Sequence, residues 1–428
     1  MMAGMIHEIA ADQYEKEVLG GGKVVLDFYS TECPPCEALA STYEGLARIY
    51  GEDVRFLKIF RQGNRALAEA LGVGSSPTLL FYDGGKRLEG QLSGGIRRSQ
   101  IAERLDQMLP PVRAQELRKK VTPVVTDCDT LILGGGPAGL TAGIYLAQAH
   151  MKTVIVDTAL PGGFVATTHQ VSNYPGFPDP LNGYMLSHFM SEQAKKAGVV
   201  FRAAADVAAL DLERKTVLLD GYETVRARTV ILATGSTPRP LGIPGENEHR
   251  GRGISYCATC DAKFFEGKDV VVIGGGNSAV EESLFIARFA RRLTVVHQFA
   301  QLQANKEAQK QAFDNPRIDF LFEHEPRAFV RHADMDMEVT VENLRDHSRR
   351  ALRANGVFVF VGFIPNVLPF NGELHRDAAG YIVTDEKMRT SLPGVYAVGD
   401  ARSKPYRQIT TATADGTIAA IAISQELA

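Results

Sequence analysis

No stretch of this 428-residue chain approaches the roughly 18 consecutive apolar residues of a membrane helix, so no membrane span is expected. The opening residues, MMAGMIHEIAADQYEKE, lack a basic stretch followed by an apolar one. No secretion signal is therefore expected, and the cytoplasm is the default location. Nor is there an excess of basic charge: 47 Lys and Arg face 50 Asp and Glu, a formal net charge of −3. That balance offers no basic surface of the kind nucleic acid requires. Low-complexity segments are absent, and cysteine is scarce, with five in the chain.

The arrangement of those cysteines is informative. Four form two pairs, Cys33/Cys36 and Cys257/Cys260, and Cys128 stands alone. In a reducing compartment such pairs are metal ligands or redox catalysts more often than structural staples. Zinc would favour pairs close together, whereas these lie more than 200 residues apart in different sequence contexts. Two redox couples and no metal are expected.

Length alone suggests about two to four domains. GKVVLDFYS reads as a buried strand, with CPPC at its end and a helical repeat of apolar residues after it. DVRFLKIF and PTLLFYDGGKR continue as strands, and a terminal helix is expected near 98–109, which completes a small α/β domain over residues 5–110. Residues 111–127, PVRAQELRKKVTPVVTD, are polar and basic in the middle and read as a linker with room for one helical turn. Beyond it a strand, glycine turn and helix (DTLILGGGPAGLTAGIYLAQAH) lead into TVIVD. The same unit returns as DVVVIGGGNSAVEESLFIARFA and LTVV about 140 residues later.

In the first unit Gly134 permits a tight turn, Gly136 lets the backbone approach a pyrophosphate, and Gly139 lets helix pack on strand. The helix N-terminus faces the phosphate charge. Asp157, at the end of the next strand, is placed to accept hydrogen bonds from an adenosine ribose. The second unit, Gly274-x-Gly276-x-x-Ala279, has the same context, and a turn that binds nothing stays open for it. Cys33 would sit just before a helix N-terminus, where dipole and free amides stabilise a thiolate. It is thus the natural attacking thiol, with Cys36 resolving the mixed disulfide.

Four further segments carry a family resemblance: GGFVATTHQVSNYPGF (162–177), ILATGSTPRPLGIPGE (231–246), CATCD (257–261) and GVYAVGDARSKPYRQITTATADG (394–416). In order and spacing they resemble the low-molecular-weight, bacterial-type thioredoxin reductases. Residues 5–110 separately resemble thioredoxin, with LDFYSTECPPC at the redox pair, Asp27 at the buried acid and Ser76-Pro77-Thr78 at the cis-proline loop. The implied fold is α/β: a thioredoxin-like domain, then two Rossmann-like dinucleotide-binding domains of the three-layer ββα type. The FAD domain is discontinuous, over 128–242 and 365–428, and a nicotinamide-nucleotide domain with the CATC centre is inserted over 243–364.

The resemblance implies FAD against Gly134, Gly136, Pro137, Ala138, Gly139 and Asp157, and against Gly162, Gly163, Phe164 and Asn173. Ala233, Thr234 and Gly235, and then Gly399, Asp400, Arg407, Gln408 and Ile409, complete that set. A nicotinamide nucleotide would meet Gly274, Gly276, Asn277, Ser278, Ala279 and His297. The resemblance further implies Cys260 against the flavin, Cys257 exchanging with thioredoxin, and Asp261 as the general acid–base. It implies a homodimer and a rotating nucleotide domain hinged at Pro238, Pro240, Pro244 and Gly245 and at Gly362 to Pro365. The partners expected are the chain's own thioredoxin domain or a neighbouring subunit's, disulfide-bearing target proteins and free thioredoxin.

Departures from the pattern leave the donor open. Where NADPH-using relatives carry HRRxxFR, this chain has His297-Gln298-Phe299-Ala300-Gln301-Leu302-Gln303, without arginine. Arg291 and Arg292 lie one strand earlier and read as surface charge. NADPH with weak selectivity, NADH, and reduced ferredoxin each remain open as electron donor. Phe164 stands where relatives usually have Gln, Pro34 replaces the thioredoxin glycine, Glu32 replaces its tryptophan, and the chain contains no tryptophan. A peroxiredoxin-serving system and a non-catalytic redox sensor are the rival readings. The single N-terminal domain argues against the first, and two complete Cys pairs with Asp261 argue against the second.

Overall fold

The strand Lys23–Tyr29 is apolar along nearly its whole length, as a strand covered on both faces must be. It lies between Arg55–Phe60, which runs parallel to it, and Thr78–Asp83, which runs antiparallel. On one face Leu39, Tyr43, Leu46 and Tyr50 of the helix Pro34–Tyr50 close the core; on the other Tyr14, Val18 and Val73 do so. Prolines at the first two positions of that helix remove N–H groups that have no intrahelical acceptor anyway. The computed structural model describes residues 6–427 except 32, 169–170, 172, 333–335 and 367–372, and describes Cys260 by its backbone alone.

The segment expected to be a linker differs from that expectation. Pro111–Lys119 is a helix whose Ala114 and Leu117 are buried in the core of the first domain. Arg113 forks onto Asp53 at 2.9–3.1 Å. Two apolar residues one turn apart suffice to seat one face of a short helix, though among nine residues they make a faint pattern. The next strand starts at Val124 rather than near 128, so only residues 120–123 connect the two elements.

In the second unit Val124–Leu133, Thr153–Val156 and Glu223–Leu232 run parallel, and Val395–Ala397 joins the far half of Glu223–Leu232. The chain therefore returns to this sheet after leaving it. The intervening unit is a five-stranded parallel sheet ordered Ile254–Ser255, Gly356–Val359, Asp269–Ile273, Arg292–His297 and Ile318–Phe322. A three-stranded antiparallel sheet, His324 to Ala354, packs against it through Phe329, Met337, Val339 and Val341. Both chain crossings between these units meet in one small ladder, Ser236–Pro238 against Phe363–Pro365.

If the helix Pro111–Lys119 belongs to the first domain's core, Leu117→Ala should cost that domain about 2–4 kcal/mol. Hydrogen exchange in Lys23–Tyr29 reads this as lost protection; unchanged protection would leave the helix outside the core.

Candidate active site

Cys33 caps the helix Pro34–Tyr50: its Sγ accepts the Cys36 N–H at 3.3 Å, in the place a capping oxygen would occupy. The same N–H, with the helix dipole, favours negative charge on Cys33 once the pair is reduced. Here Cys33 and Cys36 are disulfide-bonded, and the Cys33 sulfur lies 3.5 Å from the carbonyl oxygen of Ser76, whose bond to Pro77 is cis. On the strand that leads to the pair, Asp27 is buried with one carboxyl oxygen unpartnered among the described residues. Burial pushes its carboxyl up to about 7 against the opposing pull of Lys58.

The first glycine turn converges with three distant segments. Gly134 has φ +111°, and a side chain there would lie 2.3 Å from the carbonyl oxygen of Ala233, so the turn and the Ala233–Gly235 segment pack backbone on backbone. A Cβ on Gly139 would lie 2.0 Å from the Gly134 carbonyl oxygen. Gly162 N–H donates to Gly135 O at 2.7 Å, bringing Gly162 and Gly163 over Gly136. The helix Ile409–Leu427 crosses the helix Pro137–Gln148 so closely that a Cβ on Gly416 would lie 2.3 Å from Ala138 O. The Gly399–Asp400 turn is thereby set at the same helix N-terminus.

Asp157 receives N–H groups from Gly135 at 2.7 Å and Ala159 at 2.8 Å, while burial holds its carboxyl above the usual range. Asp400 Oδ1 and Arg407 Nε are buried without a hydrogen-bond partner among the described residues. Arg407 lies over the Tyr381 ring at 3.7 Å, and Asn173 donates to Gln408 at 3.3 Å across 235 positions of sequence. A glycine cradle at a helix N-terminus, with two orphaned polar atoms beside it, fits a bound dinucleotide.

A buried ionic cluster below this turn escaped the sequence reading. Asp415 accepts Gly399 N–H at 3.0 Å, Lys404 at 3.0 Å and Arg402 at 3.1 Å, and so fixes the turn that presents Asp400. Its signal was available: a single acid in the otherwise uncharged run ITTATADGTIAAIAI. Phe164 also gains a physical account, since its ring meets Phe363 of the crossing ladder edge-on at 5.1 Å.

The second redox centre is presented by a single helical turn, Ala258–Asp261. Cys257 is disulfide-bonded, its N–H donates to Ser255 Oγ at 3.0 Å, and its sulfur is 3.9 Å from Thr167 O, in the segment after Gly162–Gly163. The side chain of Cys260 lies outside the described residues. Cys128 is buried, and burial with Asp129 and Asp127 pushes its thiol up to about 12, away from nucleophilic use. Among the described residues no cluster of His, Cys, Asp and Glu could hold a metal ion.

The second glycine turn repeats the first: Gly274 has φ +131°, with Phe360 O where a side chain would go. Asn277 and Ser278 are exposed at the helix start, and Ala279 is buried. His297 lies under Gly275, buried and held toward its neutral form by burial, with its ring edge-on to Phe299. Arg291 pairs with Asp269 and Arg292 with Asp319 at the starts of their strands, away from the glycine turn, which follows the end of Asp269–Ile273.

Two cysteine couples and two dinucleotide turns on this framework define a disulfide oxidoreductase of the dinucleotide-binding class. The family model for pyridine nucleotide-disulphide oxidoreductases matches residues 128–416, and the thioredoxin model matches residues 5–107. Thioredoxin reductase of Peptoclostridium acidaminophilum is 43% identical over 298 residues, covering 68% of this chain and 94% of that protein. That of Bacillus subtilis is 40% identical, over 68% and 92%. The crystal structure of Lactococcus lactis thioredoxin reductase in its FR conformation superposes with a TM-score of 0.66 at 37% identity, covering 70% of this chain and 98% of that one. The chain belongs to the pyridine nucleotide-disulphide oxidoreductase family, as a thioredoxin reductase homologue with a thioredoxin domain at its N-terminal side.

Asp27 generates a pH-dependent prediction. Its folded pKa of about 7 lies above the ordinary value of 3.8, so the fold prefers the neutral acid. This group's contribution to stability is complete below about pH 4 and is lost as pH rises to about 7. Asp27→Asn should therefore stabilise the thioredoxin domain at pH 8 by about 2–4 kcal/mol and change little at pH 4. Denaturant unfolding at both pH values checks this, and an equal gain at both would contradict it.

Proposed function

We propose that this chain is a flavin-dependent thioredoxin-disulfide reductase that serves its own thioredoxin domain. Electrons pass from a nicotinamide donor by way of bound FAD to Cys257/Cys260, then to Cys33/Cys36, and finally to protein disulfides. The observation that carries this reading is the position of Cys257, in a disulfide and 3.9 Å from the Thr167 carbonyl of the segment that packs on the first glycine turn.

FAD, when bound, supplies two-electron exchange between nicotinamide and a disulfide. The work of the chain is to hold it and to manage thiols. The N–H groups of the Gly134–Gly139 turn would take the pyrophosphate and Asp157 the ribose, while Asp400 Oδ1, ion-paired with Lys404 at 3.7 Å, and Arg407 Nε would gain hydrogen-bond partners there. Asp261 exchanges the thiol proton of the reduced Cys257/Cys260 pair. The Cys257 thiolate then attacks the Cys33 sulfur and releases Cys36 as thiolate. Cys260 attacks Cys257 in turn and releases Cys33, so that one disulfide forms as the other opens. Pro238, Pro240, Pro244 and Gly245, with Gly362 to Pro365, hinge the turn of the nucleotide unit between its two partners.

Two further elements belong to this reading. Tyr145, Met185, Phe189, Ile418 and Ile421 are exposed on three helices that pack side by side, and a second copy of the chain is their occupant. The thioredoxin served is then the chain's own, a neighbouring subunit's or a free one, in a reducing compartment such as the cytoplasm.

The donor follows from charge. Arg291 and Arg292 are engaged elsewhere, and no Lys or Arg occurs from Gln298 to Asn305; Lys306 is the first cation after His297. A 2′-phosphate grip of two or three charge-assisted hydrogen bonds, each about 1.5–3 kcal/mol, is absent from residues 298–305. We infer a nicotinamide donor taken without selection for the 2′-phosphate. Stopped-flow reduction of the bound flavin should show NADH and NADPH within about tenfold of each other in kcat/KM. A hundredfold preference for NADPH would refute the inference. Reduction by ferredoxin and by neither nucleotide would replace the donor and leave the thiol relay standing. Cys33→Ser should leave flavin reduction intact and abolish the chain's reduction of insulin disulfides.

A further inference from the structure

The thioredoxin domain lies against the FAD domain with the face around its redox pair turned inward. Gly95, next to the Ser76–Pro77 loop through the hydrogen bond from Gly94 N–H to Pro77 O, faces Leu160 of the FAD domain; a Cβ there would lie 3.5 Å from its side chain. Glu37, in the first turn of the redox helix, accepts Lys195 at 3.0 Å, and Arg97 donates to Asp206 at 3.0 Å. Pro34, Pro35 and Glu37, beside the redox pair, line a cleft whose opposite wall is Tyr184, His188 and Lys195 of the FAD domain.

The most telling contact is Arg98. It is only 9% exposed, and its guanidinium lies over the ring of Tyr222 in the FAD domain at 4.7 Å. Arginine is rarely buried without a partner, and the ring that covers this one belongs to the other domain. Between the redox helix and the helix Gly183–Ala197 a cleft of about 430 Å³ remains. Among the described residues no buried apolar cluster spans the two domains, so the contact is a rim of charge and stacking around a gap. Surface ion pairs of this kind are individually weak and screened by salt, which suits a contact that opens.

Reach is limited. Residues 120–123 are all that separate the helix Pro111–Lys119, seated in the thioredoxin domain, from the strand Val124–Leu133, and Val124 N–H bonds Tyr222 O at 2.9 Å. Four residues extend at most about 14 Å. The domain can pivot beside Tyr222 but not drift away.

We propose that the surface of Leu160, Lys195, Asp206 and Tyr222 is a resting dock for the chain's own thioredoxin domain. It shields the Cys33/Cys36 face and releases it by a pivot about residues 120–123. The dock stands on these contacts and not on the relay proposed above, and the test avoids that relay by reducing the pair from outside. Dithiothreitol is mixed with the oxidised, full-length protein, and the appearance of Cys33 and Cys36 thiols is followed by quenched alkylation and mass spectrometry.

At low salt, Lys195→Glu with Asp206→Arg should speed reduction of the pair by about three- to thirtyfold, the range that two lost surface pairs allow. Adding Glu37→Lys and Arg97→Glu should restore the slow rate. The unaltered protein should itself speed up towards the variant's rate as NaCl rises to about 0.5 M. Equal rates in the unaltered protein and the variant, with no salt dependence in either, would overturn the dock. Flavin reduction by the donor should be the same in all of them. A loss of turnover confined to the Cys257-dependent path would count against the relay and leave the dock in place.

Discussion

A thiolate opens a disulfide only by direct approach of sulfur to sulfur, and Cys257 cannot face two partners at once. In this structure it faces the FAD domain, 3.9 Å from Thr167 O, and the other couple lies on a different surface of the molecule, its helix paired to Lys195. Any transfer between the couples therefore requires a change of neighbours. The proposed relay assigns that change to two narrow places. One is the crossing ladder of Ser236–Pro238 and Phe363–Pro365, and the other is the four residues before Val124.

Around these segments the proposed binding surfaces are closely packed. Gly134 and Gly274 each have a carbonyl oxygen where a side chain would go, from Ala233 and from Phe360, so both turns are locked to a neighbouring strand end. The Asp415 cluster does the same for the Gly399–Asp400 turn, using charges that are buried and fully paired, which is the condition under which burial of charge is tolerable. Under the proposed relay, closely packed cradles joined by short pivots would let each domain move as a body while the groups proposed to hold a dinucleotide keep their geometry.

The glycine turns were legible from sequence because they are backbone constraints, and spacing alone expresses them. The same holds for CPPC at a strand end and for the return of the chain to the first sheet after residue 364. The helix Pro111–Lys119 was not, since Ala114 and Leu117 are its whole buried face and polar residues surround them. Side-chain pairings were equally hidden: nothing in the string reveals that Arg291 meets Asp269, that Phe164 meets Phe363, or that Arg98 lies on Tyr222. These are contacts between segments distant in sequence, which periodicity and local propensity do not encode. Asp415 stands between the two cases, because an acid in an uncharged helix announces that a partner must exist without naming it.

The account depends on both couples drawing on one flavin. Its most direct test is the Cys257→Ser protein, given donor anaerobically and quenched by alkylation at successive times. The account predicts that the flavin bleaches while Cys33 and Cys36 remain disulfide-bonded. Alkylation of that pair at the rate seen in the unaltered protein would contradict it.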